Sequence, residues 1–187
     1  MTQYRSLQRV INAMPTSDGD GVKIRRIGGR SVMREIDPFL MLDEIQSEDG
    51  ADYIGGFPPH PHRGFETITY MLDGAMRHKD HLGNEGVIAS GDVQWMTAGR
   101  GVIHSEMPEQ TDGLLHGFQL WFNLPAAQKM QEPRYRDLPL AELAQIAGRG
   151  FTVTAISGDW RIAGTQGLLG PLHELTPQAS FADVSLD

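Results

Sequence analysis

Short apolar runs broken by glycine and proline set the rhythm of this chain. Most of them repeat every second residue rather than every third or fourth, which favours strands. In Val22–Ile27, Val22 and Ile24 alternate with Lys23 and Arg25, the pattern of a strand with one face in water. A second strand is expected at 31–36, after a Gly28-Gly29 turn. Residues 64–72 are rich in aromatic and β-branched side chains, and Asp73-Gly74 follows as a turn. Segments 87–90, 92–96 and 116–123 read as further strands, punctuated by Gly83, Gly86, Gly91, Gly99 and Gly101. Many short strands and few helices predict an all-β sandwich or barrel.

The pattern changes after Asn123. One or two helical turns are expected at 125–130. A helix is predicted over 138–147: Pro139 stands near its start, Leu140, Leu143, Ala144 and Ala147 share one face, and Gly148 stops it. Strand character returns at Phe151–Ser157, 160–162 and 182–186. The chain thus divides into residues 1–125 and residues 126–187, the latter a linker helix followed by the start of an incomplete second unit.

Composition narrows the chemistry. A chain of 187 residues can bury a core without cross-links. It has no cysteine, so disulfides, thiolate metal sites and thiol catalysis are excluded. A net charge of −8 disfavours a phosphate backbone as partner, and no direct contact with nucleic acid is expected. The basic run 23–34 alternates with Val22, Ile24, Ile27 and Val32 and reads as the solvated face of a strand or hairpin. No apolar stretch is long enough to span a membrane, and the first residues lack the apolar core of a secretory leader. A soluble, cytoplasmic protein without a membrane partner is therefore expected. Nucleotide-binding glycine loops and Gly-x-Ser-x-Gly are absent, and the methionines read as core filling.

Two short pairs carry the candidate chemistry: His60 and His62, and His104 and Glu106. Spacing i, i+2 puts both members of a pair on one face of a strand. Two adjacent strands facing one cavity would bring three imidazoles and one carboxylate together, a set that suits a divalent transition metal. Protein ligands on one side leave positions open on the other, as catalysis or sensing requires. Glu66 shares the strand parity of His60 and His62. It is either a ligand in place of Glu106, a buried acceptor that orients a histidine, or a surface carboxylate; Glu106 is preferred as ligand. His78 and His81 fall in a loop-like stretch and read as turn or surface residues. His116 reads as a packed strand-end residue and His173 as exposed, while Trp95 and Trp121 read as core or pocket wall.

Three long stretches then resemble one family. They are Asp37 to Glu44 (DPFLMLDE), Gly56 to Thr67 (GFPPHPHRGFET) and Gly91 to Pro108 (GDVQWMTAGRGVIHSEMP). In this order they resemble the pirin family of the cupin superfamily. The likeness continues through His116 to Pro125 and, more weakly, through Glu132-Pro133-Arg134-Tyr135. It implies an all-β, jelly-roll-like cupin barrel, the N-terminal cupin of a bicupin whose second domain is truncated here. It also implies one divalent metal per chain, held by His60, His62, His104 and Glu106. Iron is expected foremost, with Ni, Co, Mn, Cu or Zn also accepted by such a donor set. The implied activity is a quercetin 2,3-dioxygenase-like cleavage of flavonols by O2, with Glu106 as both ligand and catalytic base and Phe57, Phe65, Met96 and Trp121 as pocket walls. The alternative implied by the family is a non-enzymatic, redox-sensing iron protein that binds a transcription factor or metabolic enzyme. An unpaired edge in the incomplete unit leads us to expect a homodimer.

Overall fold

The computed structural model describes residues 9–27, 36–162, 165–172 and 179–186. The expected Gly28-Gly29 turn, positions 31–35 of the strand expected at 31–36, and His173 lie outside these residues.

Alternation at Val22–Ile27 does produce a strand. It is β2, which pairs with β1 (Met14–Asp18) on one side and β3 (Phe39–Ser47) on the other. Val22 and Ile24 point inward. Lys23 and Arg25 point outward and meet Asp52 and Glu44, whereas Arg26 has the strand parity of Val22 and Ile24 and meets Asp43 and Asp18. Five further strands matter for the large sheet and its partner. These are β4 (Phe57–His62), β5 (Phe65–Asp73), β6 (Ala75–Asp80), β7 (Glu85–Ala89) and β8 (Val93–Thr97). They are followed by β9 (Val102–Pro108), β10 (Leu115–Asn123) and β11 (Arg134–Leu138). The chain forms a seven-stranded sheet in the order β1-β2-β3-β10-β5-β8-β11 and a four-stranded sheet in the order β4-β9-β6-β7.

The two sheets face each other across a shared core. Val22, Ile24, Ile45, Met71 and Leu115 from the large sheet meet Met76 and Ile88 from the small one. The large sheet is buried on its other face as well, where Ile68, Tyr70, Trp95, Leu120 and Phe122 form a second cluster with Leu143, Ile156 and Leu172. That double burial explains why β5 and β8 read as nearly continuous runs of buried residues instead of alternating.

The predicted helix over 138–147 does not form. Leu138 ends β11, residues 140–142 make a single 3-10 turn, and residues 144–148 form β12 (Ala144–Gly148). β12 pairs with β13 (Phe151–Ser157), which in turn pairs with β14 (Phe181–Leu186). Gly150 closes the β12–β13 hairpin at φ +80°, a conformation that only glycine adopts cheaply. The common helical face was illusory: Leu138 and Leu143 both enter the core, but Leu140 between them is exposed. Ala144 and Ile146 alternate with exposed Gln145 and Ala147 at period two. The turn expected at 125–130 is a single 3-10 turn at Ala126–Gln128.

Because Ile156 is wholly buried between β13 and the outer face of the large sheet, Ile156→Ala should remove about 2–5 kcal/mol of stability. Urea unfolding followed by tryptophan fluorescence would measure this. One cooperative transition is expected, since the residue belongs to the same core as Trp95.

Candidate metal centre

The first histidine pair lies on β4 and the second pair on β9, and the two strands are antiparallel neighbours. The register sets His60 opposite His104 and continues across β6, with His104 opposite Asp80 and Glu106 opposite His78. Cross-strand partners share a face. The inner face of the small sheet therefore carries His60, His62, His78, Asp80, His104 and Glu106, of which all but His60 are buried.

His60, His62 and His104 converge, with one nitrogen from each inside a 4.8 Å group. The Nε2 atoms of His60 and His62 are 3.0 Å apart. His60 Nδ1 donates to the Pro58 carbonyl at 2.8 Å, which leaves Nε2 as the atom bearing the lone pair. His104 uses Nδ1 to meet His78 Nδ1 at 3.2 Å, while its Nε2 is buried without a protein partner. The His62 ring meets Phe65 and Trp121 edge-on, with centroids 5.0 and 5.1 Å away.

Charge follows from burial. Desolvation, then the imidazoles of His104 and His60, push the His62 pKa down to about 3. Desolvation, then His60 and His78, push that of His104 down to about 3. Both rings are neutral at physiological pH, the state in which imidazole ligates metals. An orphaned buried nitrogen, neutral rings and two Nε2 atoms at about the spacing of adjacent ligands on one ion all fit a transition metal.

Glu106 follows His104 on the same face of β9, beside the three histidines. Both its carboxylate oxygens accept from Gln119 Nε2 at 3.0 Å, and Thr69 Oγ1 donates to one of them at 3.3 Å. Glu66 faces the other way. Gly64, at φ +80°, ends the β4 run and the chain crosses from the small sheet to the large one, so parity is not carried over. Glu66 is sealed on the outer face, where Thr97 Oγ1 donates to it at 2.8 Å and burial pushes its pKa up. It is not placed to ligate with the histidines.

A cavity of about 500 Å³ opens onto His60 and His62. Met41, Phe57 and Trp121 form its apolar walls, with Asp18, Asp20, Asp43 and Gln119 between them. Phe57 and Trp121 are pocket walls as expected, and Phe65 supports Trp121 from behind with ring centroids 4.6 Å apart. Met96 does not line the cavity; it is buried with Ala98 and Val102. His78 is the residue that sequence reasoning misplaced. It is a strand residue, 2% exposed, inside the site. The signal was present: Met76, His78 and Asp80 alternate with Arg77 and Lys79. His81 instead accepts from the Ile103 amide at a strand end, and His116 is half-buried at the start of β10 beside Glu44.

A two-sheet barrel that gathers histidines on the inner face of its smaller sheet is a cupin with a candidate metal centre. Within that class the chain belongs to the pirin family, whose model, Pirin, matches residues 21–122. A "Pirin-like protein" of Caulobacter vibrioides is 48% identical over 183 residues, covering 97% of this chain and 65% of that protein. A Pseudomonas aeruginosa protein whose name assigns it provisionally to the quercetin 2,3-dioxygenases is 51% identical over 159 residues, covering 84% of this chain and 56% of that protein. The crystal structure of a quercetin 2,3-dioxygenase from Acinetobacter baumannii superposes with a TM-score of 0.72 at 34% identity, over 86% of this chain and 57% of that one. The chain thus spans under two thirds of the length of these relatives. Among the described residues no helix is long and apolar enough to cross a membrane.

Two stability measurements test this electrostatic picture. In the metal-free protein, His62 and His104 accept protons only in the unfolded chain between pH 6.5 and about 3. Stability should therefore fall as pH falls through that window, by up to about 1.4 kcal/mol per pH unit for each ring, and be level above it. His104→Gln should flatten the slope in urea titrations at successive pH values. The raised pKa of Glu66 has the opposite sense: its buried charge costs stability above the folded pKa and nothing once both states are protonated. Glu66→Gln should raise the thermal midpoint at pH 7.5 and leave it unchanged at pH 4.

Proposed function

We propose that this chain is the metal-bearing part of an oxidoreductase of the quercetin 2,3-dioxygenase type, using O2 to cleave a flavonol-like hydroxylated aromatic ring. His60, His62 and His104 hold one divalent transition metal, iron foremost, and Glu106 adds the anionic donor. The observation that carries this reading is the convergence of three imidazoles beside an open cavity with aromatic walls. The Acinetobacter quercetin 2,3-dioxygenase structure, alike in fold and 34% identical, supports the choice of substrate class.

When bound, the metal supplies Lewis-acid polarisation of the substrate's oxygen and a template for O2. The chain's own residues do the rest. Phe57 and Trp121 give a flat substrate apolar walls, and Asp18, Asp20, Asp43 and Gln119 offer polar contacts for its hydroxyl groups. Glu106 takes the hydroxyl proton on binding, as a general base beside the histidines. Gln119 lines the cavity and also grips the Glu106 carboxylate, so it links substrate entry to the orientation of that base. Edge-on contacts with Phe65 and Trp121 hold the His62 ring in one orientation.

Anaerobic loading with Fe(II) followed by oxygen and quercetin tests the proposal. Loss of quercetin absorbance should be metal-dependent, absent in His62→Ala, and slowed about 10²–10⁴-fold in Glu106→Gln. Tight metal binding with no turnover for any first-row ion would overturn the enzymatic reading in favour of a sensor.

A further inference from the structure

The small sheet presents one more histidine than the proposed donor set uses. His78 lies on β6 directly across from Glu106, and its ring centroid is 4.9 Å from that of His104. It is fully enclosed, with the Tyr135 ring on another side at 4.6 Å. Its Nδ1 meets His104 Nδ1 at 3.2 Å, and its Nε2 is buried without a hydrogen-bond partner.

A hydrogen bond between two neutral imidazole nitrogens contains one proton, so one ring donates and the other accepts. The direction matters. If His78 donates, the proton of His104 must sit on Nε2, and that ring presents no lone pair to the other histidines. If His104 donates, its Nε2 is free to ligate. The convergence of His104 with His60 and His62 selects between them: its Nδ1 is taken up by His78, so it can ligate only through Nε2, and a lone pair there requires the proton on Nδ1. His78 then holds its own proton on Nε2 and offers the Nδ1 lone pair to His104.

We propose that His78 is a positioning residue that fixes His104 in the Nδ1–H tautomer and thereby sets the affinity of the centre for its metal. It does for His104 what the Pro58 carbonyl does for His60. The acceptors differ in kind: a ring nitrogen is more basic than an amide oxygen and draws the shared proton more strongly. His104 should therefore be more electron-rich than His60. This inference rests on the metal-binding reading above, and the experiment separates the two.

Zn(II) is the probe, being redox-silent and diamagnetic. Its affinity is measured by competition with a chromophoric chelator for the wild type, His104→Gln, His78→Phe and His78→Gln. His78→Phe keeps a ring against Tyr135 but removes the acceptor, and should weaken Zn(II) about 10–100-fold. His78→Gln restores an acceptor oxygen and should stay within about 3-fold of the wild type. Independently, 15N-histidine NMR of the metal-free wild type should show the His104 proton on Nδ1. Equal Zn(II) affinity in His78→Phe and wild type overturns the proposal, as does a Gln variant no better than the Phe variant. A His104 proton on Nε2 overturns it even if His78→Phe does not fold. If His104→Gln binds Zn(II) as well as the wild type, the metal centre itself is wrong and the role of His78 falls with it. If His104→Gln loses the metal but His78→Phe does not, only the role of His78 fails.

Discussion

Everything at the candidate centre depends on the register of β4 against β9. His60 lies opposite His104, and the pairing continues into β6 so that Glu106 and His78 share the next row. A slip of one residue would turn one histidine strand over relative to the other and put Pro61 or Ile103 inside in place of its pair. The pairing is locked from outside the site. Close backbone approaches at Gly55 and Gly56 hold the β1–β2 turn against the start of β4, where a Cβ would meet Asp20 or Glu106 backbone oxygens. The packing of Met76 and Ile88 against the large sheet fixes the opposite edge. The geometry of three imidazoles is thus a property of the whole barrel, and no loop has to hold it.

How much of this could be read from the chain varies with the physics of each part. Strands with one wet face announced themselves by alternation, as at Val22–Ile27, and so did the pairs His60/His62 and His104/Glu106. Three features were hidden for distinct reasons. The helix expected over 138–147 had the right spacing of apolar residues, but two of them serve a core made by distant strands, and a glycine-closed hairpin outcompetes the helix. Glu66 seemed to share a face with His62 because parity counting assumes an unbroken strand, and Gly64 breaks it. His78 was obscured by its charged neighbours Arg77, Lys79 and Asp80; a histidine and an aspartate facing inward look, in one dimension, like a solvated turn.

The large sheet is unusual in being buried on both sides, with different chemistry on each. Its inner face supplies Thr69, Gln119 and Trp121 to the centre, while its outer face packs Ile68, Leu120 and Phe122 against residues from β13 and beyond. The same strands therefore serve two neighbourhoods at once. Alternate residues of β5 and β10 belong to the site and to the outer core, so a change of strand position on either side is felt on the other. Residues after Leu138 hold down the strand that carries Thr69: Ile156 and Leu172 pack on its outer face, and Tyr70 donates to Asp183.

The Arg26 guanidinium grips the Asp43 carboxylate through two nitrogens at 2.7 Å each and reaches Asp18 at 2.6 Å, tying β1, β2 and β3 together at the rim of the cavity. Asp20 also lines the wall, so three carboxylates stand at this rim and two of them share the one guanidinium. The entrance carries a negative potential focused by low-dielectric walls. A dication diffusing toward the histidines moves down that potential, whereas a carboxylated or ionised ring must climb it. The rim thus sorts arrivals by charge before any of them touches an imidazole, and raising the salt concentration would blur that sorting in both directions.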